Sequence, residues 1–170
     1  NSGQDNNQFS DIYTLKLITT NVPSIESIIT IENNTFESDS HNCGPLINLE
    51  MPNRDVLIHN CSFIRTRYHE NDPYANCIVA DRLSKLNISK CIFFECGNDG
   101  NGNTDQGNVI GIGKLSDTQD FTVEGIDCYV ENCIFNHTSS TISSYSEAVT
   151  FMGNTLFKVG KNSLRISASK

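Results

Sequence analysis

The sequence has no tryptophan, few basic residues and no long apolar run. Because tryptophan is missing, phenylalanine supplies most of the aromatic content. Twelve Lys and Arg residues against twenty Asp and Glu residues give a net charge of −8, which argues against nucleic acid or an anionic membrane surface as a partner. No apolar stretch approaches the ~20 residues of a transmembrane helix. Membrane insertion is therefore not expected.

The usual sequence signals of catalysis are also missing. The four histidines are scattered, and none has a recognisable Ser or Cys partner for nucleophilic catalysis. The glycines in 111–113 are not followed by the helix and third glycine of a phosphate-binding loop. The pairs Cys91/Cys96 and Cys128/Cys133 are spaced loosely for zinc, and no histidine stands near them in a ligand pattern. An enzyme is not predicted, and no cofactor is expected.

What the sequence does contain is a six-residue phrase that returns five times. The repeat phrase is an apolar residue, any residue, Asn, a small residue, any residue and Phe. Its five copies end at Phe36, Phe63, Phe93, Phe135 and Phe157. The phrase is kept while the spacing between copies varies, which is typical of a solenoid whose coils share inward residues but differ in their loops.

Apolar residues within and just before the phrase alternate with polar ones. In the third copy they are Leu86, Ile88, Cys91 and Phe93. The alternation has period two, breaks before the small residue and then resumes, which predicts two short strands joined by a tight corner instead of a helix. Asn suits such a corner because it adopts the left-handed conformation at low cost. The predicted corner residues are Asn33, Asn60, Lys90, Asn132 and Asn154.

A second apolar patch predicts a third strand in each coil. It occurs at 46–49, 77–80 and 109–112. We therefore predict an all-β fold, a right-handed parallel β-helix solenoid of about five to six coils, in which the five phrase-ending Phe rings stack in the core. Residues 1–170 are predicted to form a single domain with a long inter-coil insertion at 94–128. Because the chain begins with Asn1, we expect a fragment of, or a building block for, a longer assembly.

The repeat phrase resembles the repeats of polymorphic outer-membrane proteins and of other pectin-lyase-like surface solenoids. In those proteins a Gly-rich apolar strand leads into an Asn-Cys-x-Phe corner. The resemblance covers roughly residues 25–160. It implies a parallel β-helix exposed at a cell surface.

Seven cysteines are many for a cytosolic domain and favour an oxidising compartment. Cys61, Cys91 and Cys133 share one position of the phrase. Neighbouring coils lie ~4.8 Å apart, within the reach of a disulfide, so Cys61–Cys91 is a candidate bond. The alternative is a column of reduced, buried thiols. For Cys43 and Cys77, which both open the preceding strand, a bond is predicted.

Four N-glycosylation sequons begin at Asn33, Asn60, Asn87 and Asn136. Asn33 and Asn60 occupy the corner, where their side chains face the next coil, and are the less favourable acceptors. Asn87 and Asn136 stand at outward positions of strands, so N-linked glycans are predicted there. Together with the cysteines, these sites predict an extracellular or cell-surface protein.

The residues after Cys96 offer two weaker signals. Oxygen ligands spaced as in the first half of a calcium loop are Asp99, Asn101, Asn103 and Asp105. Thr104 and Ile110 stand where that loop needs Gly and Glu, which favours a solvated turn. Residues 103–105 also resemble one motif of polygalacturonase β-helix hydrolases, but the paired Asp that follows in those enzymes is missing.

Outward positions become apolar towards the end of the chain. The predicted contact surface comprises Tyr129, Ile134, Phe151 and Leu156; the alternative is that the 94–128 insertion covers these residues. We therefore expect an extracellular structural or adhesive protein, a subunit of a fibre or stalk, whose partners are other copies of itself or flanking segments of a surface protein. The alternative is a carbohydrate-active or sugar-binding β-helix.

Overall fold

The computed structural model describes ten segments of the chain, and sixteen parallel-paired β-strands account for most of them. The segments are 15–18, 28–37, 45–51, 54–66, 77–81, 83–97, 108–112, 126–144, 148–160 and 164–166. The first sheet contains β1 (Leu15–Ile18), β4 (Ile47–Glu50), β7 (Ile78–Asp81), β10 (Asn108–Ile112), β13 (Ser140–Ser144) and β16 (Leu164–Ile166). The second contains β2 (Ile28–Glu32), β5 (Asp55–His59), β8 (Lys85–Ser89), β11 (Asp127–Glu131) and β14 (Ala148–Met152). The third contains β3 (Thr35–Glu37), β6 (Ser62–Ile64), β9 (Ile92–Phe94), β12 (Ile134–Asn136) and β15 (Thr155–Phe157).

Each strand pairs in parallel with the strand three places along the chain. The path therefore visits the first, second and third sheets in turn, and β1 to β15 make five coils, with β16 starting another. This arrangement confirms the predicted all-β parallel β-helix. The range predicted as an insertion contains β10, which lies inside the first sheet, and residues 98–107 and 113–125 fall outside the described segments.

Alternation of buried and outward residues explains the strands. In β8, Leu86 and Ile88 are buried while Lys85 is exposed. The corner that follows bends the chain through the left-handed region, with φ angles of 58° at Asn33, 51° at Asn60 and 53° at Lys90. Asn60 Nδ2 donates to Asn33 Oδ1 at 2.8 Å. The predicted corner is thus present in these three coils, and a side-chain amide contact joins the first two.

The core contains a column of stacked phenylalanine rings. Centroid distances are 5.2 Å from Phe36 to Phe63, 4.8 Å from Phe63 to Phe93 and 4.7 Å from Phe93 to Phe135, with ring planes within 11° of parallel. The last three rings of this column are fully buried. Four of the five predicted rings therefore stack as expected.

The fifth ring does not, because the last coil is shifted by one residue. Phe135 pairs with Leu156, while Phe157 pairs with Asn136 and is 54% exposed. The corner residue is Gly153, with a φ of 66°, and not Asn154. Glycine adopts a positive φ more readily than asparagine does, so it takes the corner, and every following residue moves one place along.

A second left-handed corner, which the repeat phrase does not predict, follows the third sheet. Its residues have φ angles of 51–56° and are Arg65, Glu95, His137 and Lys158. The corner carries the chain from the third sheet back towards the first. Small residues come directly after it, and Thr66, Cys96 and Thr138 among them are buried.

Candidate functional site

The last coil exposes the largest group of apolar side chains in the described part of the chain. Met152 is 58% exposed, Leu156 39% and Phe157 54%, and we call these three residues the terminal apolar surface. All three residues of β15 are exposed. The His137 and Phe157 rings meet edge to face, with centroids 5.8 Å apart. Lys158 Nζ lies 5.6 Å from the centroid of the Phe157 ring. The terminal apolar surface is therefore bordered by the Lys158 ammonium group.

The open end of the column is partly filled from within the same coil. The Phe151 ring packs against Phe135, with centroids 5.9 Å apart and planes inclined by 34°. Asn154 occupies the small position of the phrase, where its Oδ1 accepts from Cys133 N and its Nδ2 donates to Val130 O, both at 2.8 Å. Asn154 thus provides hydrogen-bond partners for backbone groups of the preceding coil, while the terminal apolar surface remains exposed.

The four residues predicted as one contact surface lie on different faces. Tyr129 is half-buried on the outer side of the second sheet, and Ile134 is 43% exposed on the outer side of the third. Phe151 pairs with Val130, and Leu156 pairs with Phe135, so both belong to inward columns. The one-residue shift of the last coil explains why Phe151 and Leu156 are inward. The residues of that coil that align with Tyr129 and Ile134 are Thr150 and Thr155.

Three cysteines form a thiol column beside the corner. Cys61, Cys91 and Cys133 are free and buried. Each Sγ donates to a carbonyl of an earlier coil at 3.6–3.7 Å and to the carbonyl two residues before it at 3.3–3.4 Å. Burial raises the pKa of Cys61, and contact with the Cys133 thiol raises that of Cys91. The same contact lowers the pKa of Cys133, so Cys61 and Cys91 are the two thiols held protonated as hydrogen-bond donors.

The other cysteines differ in their surroundings. Cys77 and Cys96 are free and fully buried, and burial together with the nearby Cys96 thiol raises the pKa of Cys77. Cys96 Sγ donates to Phe63 O at 3.3 Å and to Phe94 O at 3.5 Å. Cys128 is buried alone, and loss of hydration raises its pKa to about 12. Cys43 lies outside the described residues, so the Cys43–Cys77 bond stays a prediction.

The sequon asparagines occupy two kinds of position. Asn33 and Asn60 are corner residues bonded to each other. Asn87 stands between Leu57 and Tyr129 in the second sheet, and its Oδ1 is buried without a hydrogen-bond partner. Asn136 contacts His137 Nδ1 through its own Oδ1 at 2.7 Å, which leaves its Nδ2 available for a sugar.

A groove of about 160 Å³ runs along the outer side of the second sheet. Its lining is Ile28, Asp55, Val56, Leu57, Lys85 and Asn87. Lys85 Nζ also lies 4.7 Å from the centroid of the Tyr129 ring. Asp55 is the single carboxylate of the lining, whereas glycoside hydrolysis generally uses two.

The calcium-loop residues Asp99, Asn101, Asn103 and Asp105 all lie outside the described residues. Within the described segments, no cluster of three or more His, Cys, Asp or Glu side chains could hold a metal ion. The described segments contain no helix that is long and apolar enough to cross a membrane.

No known protein family, curated protein or solved structure matches this chain.

Proposed function

We propose that this chain is an extracellular structural β-helix that joins to a second copy of itself through its last coil. The terminal apolar surface carries the proposal. Exposed apolar side chains grouped at one place are typical of contact sites. Here they lie at the end of a solenoid, where stacking of another coil would bury them.

The strand edges of the last coil support the same contact. Among the described residues, β14 and β15 each pair with a neighbour on one side only, and so do β2 and β3 at the opposite end. Such edges present unpaired backbone groups that favour pairing with another chain. Stacking β15 on β3 of another copy would continue the third sheet across the contact.

The two ends differ in character, which favours a head-to-tail arrangement. The first coil exposes Glu32, Asn33 and Glu37, whereas the last coil presents the terminal apolar surface beside Lys158. A contact between unlike surfaces does not close on itself and propagates into a filament. Glu32 on one end and Lys158 on the other also attract each other, whereas Glu37 is already paired with Arg65 of the second coil.

The cell-surface location rests on the cysteines, the sequons and the repeat phrase. The phrase resembles repeats of polymorphic outer-membrane proteins and pectin-lyase-like surface solenoids, which favours a fibre or stalk. N-linked glycans at outward positions would leave the two ends free. A flanking segment of a longer surface protein is the alternative occupant of the last coil.

Sedimentation velocity over a concentration series tests the proposal. The wild-type chain is expected to form oligomers that grow with concentration, and Phe157→Lys is expected to sediment as a monomer. Ile92→Lys is the matched control, because Ile92 is 43% exposed on a lateral face, and it should assemble as the wild type does. A wild-type chain that stays monomeric at all concentrations would refute self-assembly.

A second candidate function, binding of a carbohydrate, is favoured by the groove on the second sheet. Asn87 Oδ1 and Lys85 offer an acceptor and a donor beside apolar Leu57 and Ile28. A glycan on Asn87 would fill the same groove, so the two roles exclude each other. Saturable binding of a neutral oligosaccharide to the wild type but not to Asp55→Ala, measured by calorimetry, would support this candidate. No heat of binding to unglycosylated protein would exclude it.

A further inference from the structure

Cys77 and Cys96 lie at the beginning and the end of the third coil. Cys77 directly precedes β7, and Cys96 follows β9 by two residues. Both side chains have no exposed surface. Gly97 N, next to Cys96, donates to Thr66 O at 2.7 Å, so the end of the third coil lies beside Thr66. Thr66, which belongs to the coil before, places its Oγ1 3.2 Å from Cys77 Sγ. Two reactive groups far apart in sequence thus meet in one closed compartment.

The contacts of Cys77 differ from those of the thiol column. Cys61, Cys91 and Cys133 all repeat one geometry, in which Sγ donates to two backbone carbonyls, and Cys91 and Cys133 keep these bonds although their thiols also contact each other. The Sγ of Cys77 contacts the Thr66 hydroxyl and the Cys96 thiol, which are side chains. Loss of the Cys77 proton therefore breaks no repeated backbone interaction of the solenoid. Loss of the Cys96 proton gives up two, because its Sγ donates to Phe63 O at 3.3 Å and to Phe94 O at 3.5 Å, and the Sγ–Sγ bond replaces them.

We propose that Cys77 and Cys96 form a disulfide that closes the third coil on itself. The two thiols lose two protons and two electrons as the Sγ–Sγ bond forms. The electrons and protons pass to an oxidised disulfide of the oxidoreductase or glutathione class, which is reduced to two thiols. The reaction proceeds by thiolate attack and a mixed disulfide, and it takes place before the coil has closed over the pair.

The position explains what the bond does. It joins the first and last residues of one coil, so that the three strands β7, β8 and β9 form a covalent ring in the middle of the solenoid. Cross-linking reduces the freedom of the unfolded chain. Once folded, the pair is buried, and burial raises the pKa of the Cys77 thiol, so exchange from the native state is slow. The inference does not depend on self-assembly.

This pairing competes with Cys43–Cys77 for the same sulfur atom, and peptide mapping separates the two. The full chain is refolded in a glutathione redox buffer, and free thiols are blocked in denaturant with N-ethylmaleimide. Trypsin and a glutamyl endopeptidase then divide Cys91 from Cys96, because Glu95 lies between them. We expect the Cys77 peptide joined to the Cys96 peptide, and Cys91 alkylated. Alkylated Cys77, or Cys77 joined to Cys43, overturns the proposal.

Stability provides the second measurement. The urea midpoint of the oxidised protein should exceed that of the reduced protein by on the order of 1 M. Cys77→Ala and Cys96→Ala should each remove this dependence on redox state. Cys128→Ala is the matched control, because Cys128 is buried without a thiol partner, and it should retain the dependence. A midpoint in the wild type that is the same in both states overturns the proposal.

Discussion

The position of a residue in its coil, more than its type, decides what each side chain contributes. Phe93 is fully buried between two parallel rings, whereas Phe157 is more than half exposed one coil beyond the column. The same ring therefore stabilises the core at one position and forms surface at the other. Burial of an aromatic side chain contributes several kcal/mol only where neighbouring atoms surround it.

Replacing Phe93 with Ala is expected to lower the free energy of unfolding by about 3–5 kcal/mol, because it leaves a cavity between two rings that cannot collapse onto each other. Phe157→Ala, measured on the monomer, should cost less than about 1 kcal/mol. Urea denaturation followed by circular dichroism measures both. Equal losses for the two variants would contradict the position of Phe157 on the surface.

Gly153 is the corner residue whose replacement should matter most. Its φ of 66° lies in the left-handed region, and a Cβ there would come within 2.5 Å of Asn132 Oδ1. Gly153→Ala is expected to destabilise the chain by about 1–3 kcal/mol, because strain and the steric clash add. Lys90→Ala is the control at the equivalent corner of the third coil, where a Cβ is already present, and its unfolding midpoint should change little.

The strands and corners were predictable where the same residue types recur at the same positions in each coil. Period-two alternation and the recurring Asn predict the second sheet, the third sheet and the corner between them. The second corner escaped prediction because Arg65, Glu95, His137 and Lys158 share no residue type. The small residue three places after each stacked Phe was the available signal. The shift in the last coil was missed because the final Phe suggested an alignment that Gly153 overrides.

Contacts across loops of variable length could not be predicted in the same way. Cys77 and Cys96 come together because β7, β8 and β9 carry the chain once around the core, which returns the end of the third coil to its beginning. Sequence spacing does not encode that return. Of the four residues predicted as a contact surface, Leu156 alone belongs to the terminal apolar surface, because a one-residue shift exchanges inward and outward positions along a strand.

Strand and corner positions also predict which sequons carry sugar. Asn87 and Asn136 should be glycosylated, while Asn33 and Asn60 should not: both occupy the left-handed corner, and Asn60 Nδ2 is committed to Asn33 Oδ1 at 2.8 Å. Expression in a eukaryotic secretory host, followed by enzymatic deglycosylation in heavy-oxygen water and mass spectrometry, counts the occupied sites. Asn136→Gln should remove one glycan and leave the others. Full occupancy at Asn60 would contradict the corner assignment.

At the scale of the molecule, stability should vary along the solenoid. Each coil contacts only its neighbours, so an inner coil is held on both sides and the last coil mainly on one. Backbone bonds join the coils at both places: Ile92 N donates to Cys61 O and Thr155 N to Cys133 O, each at 2.9 Å. The two hydrogen bonds have equal lengths, but their amides should differ in protection from hydrogen exchange, because opening of the last coil exposes little of the core.

Hydrogen exchange should reveal this gradient and how assembly changes it. In dilute monomer, the Thr155 amide should exchange at least about tenfold faster than the Ile92 amide, because local opening of a terminal coil requires less free energy than global unfolding. At concentrations where the chain assembles, Thr155 should become protected while Ile92 stays unchanged, since stacking covers the last coil. Phe157→Lys at the same high concentration is the control, and its Thr155 amide should remain fast. If Thr155 exchanges as slowly as Ile92 in the monomer, the last coil is already covered by its own chain. In that case a second copy has no open edge to join.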